Sequence, residues 1–424
     1  MTCKISPIKL FAIVVVFFSI TKESFPIEKE KVVLRSWREA FINAGKSEAL
    51  PPNLIVRNLA LLSLGCFEAI NAKEQTFQSY FAKPYSPPLS FERISALRGF
   101  CLKLGKSLHP SRQSLFKRIA HQNSLHLDKL PHNPSFLFGN ELAIRILQER
   151  MDDGSTTQVT YLPRTDPGKW RRTAPHFRPP EQPHWPKVRL FCLPTLREFV
   201  PPPPPEPDTK EYFQAVREVK LYGAKTSPLR TAEQTDIAQF WKDFSYSSTP
   251  PGHWNQIAQS LSVQRNLNIL QEARLFALLN LCMADAGIVA WESKYHYHLW
   301  RPIQAIRLGD QFKSTQTLTD PLWDPLLETP PHPEYVSGHG CYSGAAAQTL
   351  RQFLGTDEIK FFVKSSSPGL KPRSFASLSQ CAQEVCDSRL WGGIHYRFSN
   401  EKALQTGKFI AQYVHKNFLY PKSP

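Results

Sequence analysis

Cationic and polar side chains cluster in three segments of the last third of the chain, each beside apolar helical sequence. The segments are 291–307 (WESKYHYHLWRPIQAIR), 332–347 (HPEYVSGHGCYSGAAA) and 387–398 (DSRLWGGIHYRF). Together they supply one lysine, two arginines, a serine hydroxyl, a glycine N–H and two histidines that could act on one ligand. Such groups suit a highly charged tetrahedral oxyanion, with one imidazole to bond its central atom and another to move protons.

Two cations of the first segment, Lys294 and Arg301, stand seven residues apart. On one helix this spacing is two turns and about 10 Å of rise, so both side chains are expected on the same face. A solvated basic stripe would explain such a pair equally well. Trp291, Trp300 and Ile303 nevertheless place the helix in apolar surroundings. Unpaired charge is costly there, which favours an anion between the two cations.

The second segment contains Ser337-Gly338-His339 just before a helical run. Gly338 allows close approach of the backbone, and its N–H is expected at a helix N-terminus, where free donors favour an oxyanion. A serine N-cap would explain Ser337 without any binding function. In the third segment Arg389 and His395 are six residues apart, with Gly392-Gly393 expected to end a helix between them.

Elsewhere the chain shows apolar residues at helical spacing and few alternating stretches, which predicts an all-α fold. A Thr231/Gln234 capping box is expected to start one of the helices. By contrast, 156–207 is rich in proline, and its aromatic residues indicate an ordered segment wrapped on the surface. A polyproline ligand for a partner domain is the alternative. The predicted helices are 37–44, 54–72, 90–104, 111–130, 140–151, 232–244, 255–291, 343–354, 374–390 and 400–418.

Composition narrows the functional classes. The 424 residues are 41% hydrophobic and 21% charged, which excludes a disordered chain, and the formal net charge of +16 predicts an anionic partner. A basic protein that binds nucleic acid nonspecifically stays an alternative, but no nucleic-acid-binding module is present, so we expect no such partner. Signatures of serine hydrolases, zinc proteases and P-loop enzymes are also missing from the sequence.

The N-terminus resembles a targeting segment. Lys4 and Lys9 precede an apolar run at 10–20 that is short for a bilayer, which needs about 20 residues. We expect export to the periplasm or cell exterior, with retention at the membrane as the alternative. The eight cysteines include no C-x-x-C pair and are expected to be buried thiols, although Cys381 and Cys386 could pair after export.

The three segments together resemble the signature shared by vanadium-dependent haloperoxidases and type 2 phosphatidic acid phosphatases. The pattern K-x6-R-P, S-G-H and S-R-x5-H falls on Lys294, Arg301-Pro302, Ser337-Gly338-His339, Ser388-Arg389 and His395. The stretches PPNLIVRNLALLSLGCFEAINA, YLPRTDPGKW and TPPGHWNQIAQ resemble the bacterial haloperoxidase branch, so the likeness covers 32–418. It implies a helical bundle with four parts: a leader (1–24), an N-terminal helical region (32–155), a Pro-rich wrapping loop (156–229) and a catalytic helical core (230–418).

The resemblance also implies a role for each matched residue. His395 would ligate vanadium(V) of a bound vanadate, and His339 would act as acid and base near its apical oxygen. Trp291 and His332 are candidates for the halide pocket, and His332 favours bromide or iodide over chloride. The vanadate oxygens would be held by the charges of Lys294, Arg301 and Arg389 and by hydrogen bonds from Ser337 and the Gly338 N–H.

Two activities follow from this resemblance. A haloperoxidase would use vanadate as a Lewis acid to oxidise halide with hydrogen peroxide, giving a hypohalous species for a small organic acceptor. An acid phosphatase would bind phosphate in the same cradle, with His395 as nucleophile and His339 protonating the leaving alcohol. The N-terminal half, the Trp291/His332 pair and the lack of spanning helices favour the haloperoxidase, with phosphate as a competing ligand.

Two positions depart from the family pattern. Val336 stands where the phosphatases usually have proline before S-G-H, a change expected to be harmless if the turn is otherwise set. Ser399 stands four residues after His395, where both branches commonly carry an aspartate. A carboxylate there could orient a histidine or raise its basicity, so the serine puts full activity in question.

Overall fold

The structure is a computed structural model that describes residues 24–83, 85–122, 132–243 and 246–422. The apolar run at 10–20, Cys3 and nearly all of the expected leader lie outside these ranges. Within them the chain folds as a helical bundle with one small β-hairpin, which confirms the all-α prediction. The helices are α1 (Ser24–Ser47), α2 (Pro52–Asn71), α3 (Arg93–Leu108), α4 (Gln113–Gln122), α5 (Pro134–Glu149), α6 (Lys210–Tyr222), α7 (Ala232–Phe240), α8 (Thr249–Gln264), α9 (Ile269–Tyr297), α10 (Pro302–Arg307), α11 (Gly338–Leu354), α12 (Leu378–Trp391) and α13 (Arg397–Asn417).

Local sequence explains several helix ends. α2 begins at Pro52, whose fixed φ suits the first turn. The expected capping box of Thr231 and Gln234 is present at the start of α7. Asn268 and Gln271 form a second capping box and start α9. The segment 255–291, expected as one helical run, is therefore two helices, because the chain breaks after Gln264 and restarts at this cap.

The hairpin corrects another expectation. Its strands, β1 (Glu358–Val363) and β2 (Arg373–Ser377), pair antiparallel, so the first residues of the helix expected at 374–390 are strand. Alternate residues of β1 are buried, but a strand of six residues is too short to separate clearly from helical periodicity. The helix expected at 111–130 is represented by α4, and 123–130 lie outside the described residues.

The proline-rich segment 156–207 contains no α-helix and lies against the bundle. Trp170 and Trp185 are buried, whereas Phe177 is 57% exposed and does not pack as expected. Asp285 on α9 accepts hydrogen bonds from the backbone N–H groups of Phe191, Cys192 and Leu193, which fixes the far part of the segment. The expected loop of 156–229 also contains helix α6.

The centre of the bundle is α9, whose residues are buried on nearly every side and which packs against α2, α11 and α13. α2 and α9 are long and apolar enough to span a membrane by length and composition, which the sequence reading did not anticipate. In each, 94% of the apolar window is buried inside the protein, as in the core helices of soluble proteins. The seven cysteines of the described residues are free and buried, including Cys381 and Cys386.

Glycines allow α11, the helix that begins at the S-G-H motif, to pack closely on α13. A Cβ added at Gly344 would lie 2.3 Å from the Leu404 carbonyl oxygen, and one at Gly407 would lie 2.2 Å from the Cys341 carbonyl oxygen. Both obstacles are helix backbone, which cannot rotate away as a side chain can. The position of the motif therefore depends on these two glycines.

We expect Gly407→Ala to destabilise the protein by about 1–3 kcal/mol, the usual cost of overpacking a close-packed interior. Gly45→Ala on α1 is the matched control, because its added Cβ meets only the flexible Ile55 side chain, at 3.1 Å. There the better helix propensity of alanine, up to about 1 kcal/mol, offsets the contact. Urea unfolding of both variants measures the difference. Equal stabilities would contradict the close packing of α11 on α13.

Candidate functional site

Lys294 lies near the C-terminal end of α9 and is fully buried. Its Nζ donates to three backbone carbonyl oxygens that precede the S-G-H motif, those of Pro333 (3.2 Å), Glu334 (3.0 Å) and Val336 (2.5 Å). Burial lowers the pKa of Lys294 well below its usual value, and the charge of Arg301 lowers it further. The three ammonium donors are thus used to hold the motif segment, and the lysine adds charge to the site.

Arg301 is not on the same helix as Lys294, so the expectation of two turns of one face is wrong. α9 ends at Tyr297, and its C-cap His298 has the left-handed φ of 56°. Arg301 is the N-cap of the short α10, with φ −79° and ψ 159°. Pro302 accounts for this break, because the residue before a proline is driven out of the helical region. The two cations still lie in one buried cluster.

The guanidinium of Arg301 is buried and tied to the other two motif segments. Nε donates to the His332 carbonyl oxygen (2.8 Å) and Nη1 to the Ile394 carbonyl oxygen (2.7 Å). Nη2 lies 2.9 Å from His332 Nδ1, and Nη1 lies 3.2 Å from His395 Nε2. Burial lowers the pKa of Arg301 to about 10, so the group stays charged at neutral pH.

Ser337 is the N-cap of α11, as expected, and its hydroxyl oxygen accepts from the Gly340 N–H at 3.3 Å. Gly338 is the first residue of the helix, so its N–H is among those that have no partner inside the helix. The ring of Trp291 lies 3.3 Å from where a Gly338 Cβ would stand. A larger residue at 338 would press on this ring, and the glycine keeps the helix N-terminus open.

Arg389 and His339 reach the same cluster from α12 and α11. Nη1 of Arg389 donates to the Trp241 carbonyl oxygen at 2.6 Å, and burial lowers its pKa to about 10, with Asp243 acting in the opposite direction. Nε2 of His339 lies 3.7 Å from Asp243 Oδ2. Burial and then the charge of Arg389 lower the pKa of His339 well below its usual value. Asp243 also contacts His253 Nδ1 at 3.1 Å.

His395 follows the turn at Gly392-Gly393 that ends α12, as the glycine pair predicted. Gly393 has a φ of 76°, and a Cβ there would lie 2.3 Å from the Gly223 carbonyl oxygen, so only glycine fits this turn. Burial lowers the pKa of His395 well below its usual value, and the charges of Arg301, Lys294 and Arg389 lower it further. The imidazole is therefore neutral at physiological pH, the form that can ligate a metal.

The two halide-pocket candidates contact each other. The ring centroids of Trp291 and His332 are 5.0 Å apart. Trp291 Nε1 donates to the Glu181 carbonyl oxygen at 3.2 Å, so this N–H already has a partner. His332 Nδ1 lies 2.9 Å from Arg301 Nη2 and 3.2 Å from the Pro333 carbonyl oxygen. Because an arginine can only donate, Nδ1 accepts in the shorter contact with Arg301 and does not donate to Pro333. The neutral His332 ring then carries its proton on Nε2.

The structure thus brings the residues of the three segments into one buried cluster. Three further residues belong to it that the sequence analysis missed: Glu334, Asp243 and His253. Glu334 lies inside the HPEYVSGH stretch, and a carboxylate so close to the motif was the one available signal. Asp243 and His253 lie about 90 residues before the motif they serve, and no local pattern relates them to it.

The cluster fits a bound tetrahedral oxyanion. Among the described residues, no carboxylate lies within 4.0 Å of the charged atoms of Lys294, Arg301 or Arg389, although all three are at most 2% exposed. Arg389 Nε and His339 Nε2 are buried and have no hydrogen-bond partner in the described part of the chain. Buried cations and unused donors are costly unless a ligand satisfies them. Residues 24–83, 85–122, 132–243 and 246–422 contain no group of three or more His, Cys, Asp or Glu side chains that could hold a bare metal ion.

Known proteins resemble this chain in sequence. The family model of the VCPO second helical-bundle domain matches residues 274–420, which include all three motif segments. The vanadium chloroperoxidase of Curvularia inaequalis is 29% identical over 228 residues, which are 48% of this chain and 37% of that protein. The match thus covers well under half the length of this relative.

Solved structures extend the likeness to nearly the whole chain. The crystal structure of the first bacterial vanadium-dependent iodoperoxidase superposes with a TM-score of 0.77 and 27% identity, and covers 94% of this chain and 97% of its own. A holo-type bacterial vanadium-dependent chloroperoxidase shares the fold at a TM-score of 0.71 and 16% identity, covering 87% of this chain and 92% of its own. The family model, this curated relative and these solved structures together support the vanadium-dependent haloperoxidase superfamily.

Proposed function

We propose that this protein is a vanadate-dependent haloperoxidase that oxidises halide with hydrogen peroxide, bromide and iodide being favoured over chloride. The observation that carries the proposal is the cluster of buried cations without an ion-paired carboxylate among the described residues. Such a site requires an anion from outside the chain. Membership in the haloperoxidase superfamily makes vanadate the anion of choice.

The residues divide the work as follows. Arg301 and Arg389 would neutralise the oxygens of vanadate with directed N–H donors, while Lys294 contributes its charge from behind the motif segment. Ser337 and the Gly338 N–H would donate hydrogen bonds at the N-terminus of α11. His395 would ligate vanadium through Nε2. When bound, vanadate supplies a Lewis-acidic centre that activates peroxide towards halide.

His339 is the proposed acid and base. Its imidazole is neutral, its Nε2 has no hydrogen-bond partner among the described residues, and Asp243 stands 3.7 Å away to stabilise the protonated ring when it forms. Nε2 can therefore accept a proton from peroxide and return it to a leaving oxygen. Because burial lowers the pKa of His339, the base form is present at neutral pH.

The halide preference rests on the residue at 332. Trp291 and His332 would form the halide pocket, and the proton on His332 Nε2 offers a hydrogen bond to the anion. We also propose that the protein is exported through its N-terminal segment and that 230–418 is the catalytic core.

One assay tests the activity. Protein loaded with orthovanadate is expected to halogenate a phenolic dye with hydrogen peroxide, faster with bromide or iodide than with chloride, and phosphate should compete with vanadate for the site. The control is the same protein stripped of vanadate, which should be inactive. Hydrolysis of a phosphate ester by the stripped protein, without halogenation by the loaded protein, would instead establish the phosphatase. A faster reaction with chloride would contradict the proposed halide preference alone.

A further inference from the structure

The imidazole of His395 is held from behind by a carboxylate of another segment. Oε1 of Glu334 lies 2.7 Å from His395 Nδ1 and also accepts from the Tyr396 N–H at 3.0 Å. Both side chains are almost completely buried, Glu334 at 0% and His395 at 3% exposure. The contact therefore does not exchange readily with solvent, and it defines the orientation of the ring.

The neighbouring donors also define which ring nitrogen carries the proton. Arg301 Nη1 stands 3.2 Å from His395 Nε2, and an arginine N–H can only donate, so Nε2 must present its lone pair. Glu334 Oε1 already accepts from the Tyr396 N–H, so this oxygen is the acceptor for Nδ1 as well. The neutral ring is thus protonated on Nδ1, and its Nε2 lone pair faces the Arg301 guanidinium in the cation cluster.

The Glu334 carboxylate takes the place of the aspartate that is absent at position 399. Ser399 is fully buried and lies close to Glu334. Burial raises the pKa of the Glu334 carboxyl, and Ser399 acts in the opposite direction with a smaller effect. Ser399 itself makes no hydrogen bond to His395. The acidic partner missing four residues after the histidine is supplied from the segment just before the S-G-H motif.

We propose that Glu334 is the positioning residue of His395: it holds Nδ1–H, orients the ring, and leaves the Nε2 lone pair directed at the oxyanion site. The proposal rests on the proposed function, because it takes His395 as the vanadium ligand. Outer partners of a ligating histidine typically change metal affinity by about 10- to 100-fold when replaced. Glu334 should therefore act on the bond to vanadium and not on anion binding in general.

Comparing vanadate with phosphate separates these two effects. We expect Glu334→Gln to weaken vanadate binding about 10- to 100-fold in equilibrium dialysis. Phosphate, held by the cations and not by a bond to His395, should bind as well as before or more tightly, since a negative charge is removed. Glu334→Gln keeps the shape of the side chain, and a thermal melt checks that the variant is folded.

Glu181→Gln is the matched control. The Glu181 carboxylate influences both Lys294 and Arg301 through its charge, as Glu334 does. Its backbone oxygen, however, accepts the hydrogen bonds of Trp291 and Tyr295, and no contact to His395 occurs. We expect neither anion to bind more weakly to this variant. If both substitutions weakened vanadate binding equally, the proposal would be overturned, because the loss of a negative charge alone would then explain the weaker binding.

A second measurement needs no vanadate and no activity. The ¹⁵N chemical shifts of the ring should show His395 protonated on Nδ1 in the wild-type protein, with the signal assigned by its loss in His395→Ala. Glu334→Ala should change the proton distribution between the two nitrogens. An unchanged signal would refute the positioning role even if halogenation is observed. Conversely, an absence of halogenation with the expected ring signals would contradict the proposed function and leave the positioning of His395 supported.

A double-substitution cycle closes the test. In a His395→Ala background, Glu334→Gln should have little further effect on vanadate binding, because the residue through which it acts is gone. If Glu334→Gln weakened vanadate binding by the same factor in the wild-type and His395→Ala proteins, Glu334 would support the site without acting through His395. That result would overturn the proposal.

Discussion

Replacing His395 with alanine is expected to abolish vanadate retention while the protein stays folded. The imidazole is the one ligand proposed to bond the metal, and outer partners alone change such affinities by about 10- to 100-fold, so the loss should exceed about 100-fold. Phosphate should still bind, because Arg301 and Arg389 remain. Equilibrium dialysis with each anion measures the two affinities, and a thermal melt verifies folding.

His339→Ala is the matched variant, since it removes a second neutral imidazole, 16% exposed, from the same cluster. Here vanadate affinity should fall by less than about tenfold, a cost no larger than that of one hydrogen bond. Turnover of the loaded protein should fall by about 10²- to 10⁴-fold, the usual contribution of general acid–base catalysis. Equal losses of vanadate binding in the two variants would contradict the division of roles between the histidines.

Arg301→Ala should cause the largest loss of stability at the site. The substitution leaves the carbonyl oxygens of His332 and Ile394 buried without their donor and removes the cation that influences Glu334 most strongly. A buried carbonyl oxygen left without its donor costs about 1–3 kcal/mol, so the two together should cost about 2–6 kcal/mol. Guanidinium unfolding measures the loss, and the binding of both phosphate and vanadate should weaken as well.

Arg307→Ala, six residues further along, is the control for this substitution. Arg307 pairs with Asp324 near the surface, with side chains 27% and 53% exposed, so its loss should cost at most about 1 kcal/mol. Arg301→Lys provides a variant that keeps the charge if the alanine variant fails to fold. It should be folded but bind phosphate more weakly, because an ammonium cannot reproduce the fork of donors. If Arg301→Ala and Arg307→Ala had the same free energy of unfolding, the central role of Arg301 would be refuted.

Much of the fold could be predicted because its signals are local. Apolar periodicity located most helices, Thr231 with Gln234 predicted a cap, and Gly392-Gly393 predicted the end of α12. The errors fall where local signals compete or are short. Pro302 breaks the helix assumed to carry both Lys294 and Arg301, and β2 is a strand of five residues inside an apparently helical stretch.

The candidate site divides in the same way. The identity of its cations, its two histidines and the helix N-terminus at Ser337 follows from residue types and spacing, because each of the three motif segments is contiguous in the chain. The partners of those histidines do not. Glu334 reaches His395 across 61 residues of sequence, and Asp243, in the segment after α7, lies beside His339 of α11 only in the folded chain.

Residue types along the chain were enough to predict a helical protein and a candidate cradle for a tetrahedral oxyanion, since helix formation and anion affinity depend on near neighbours. Packing alone settled which nitrogen of His395 faces that cradle and which carboxylate holds the ring. The reason is physical: hydrogen-bond partners in a buried cluster are set by distances of about 3 Å between segments far apart in the chain. Such distances exist only once the glycine-lined contact of α11 with α13 and the turn at Gly393 have formed.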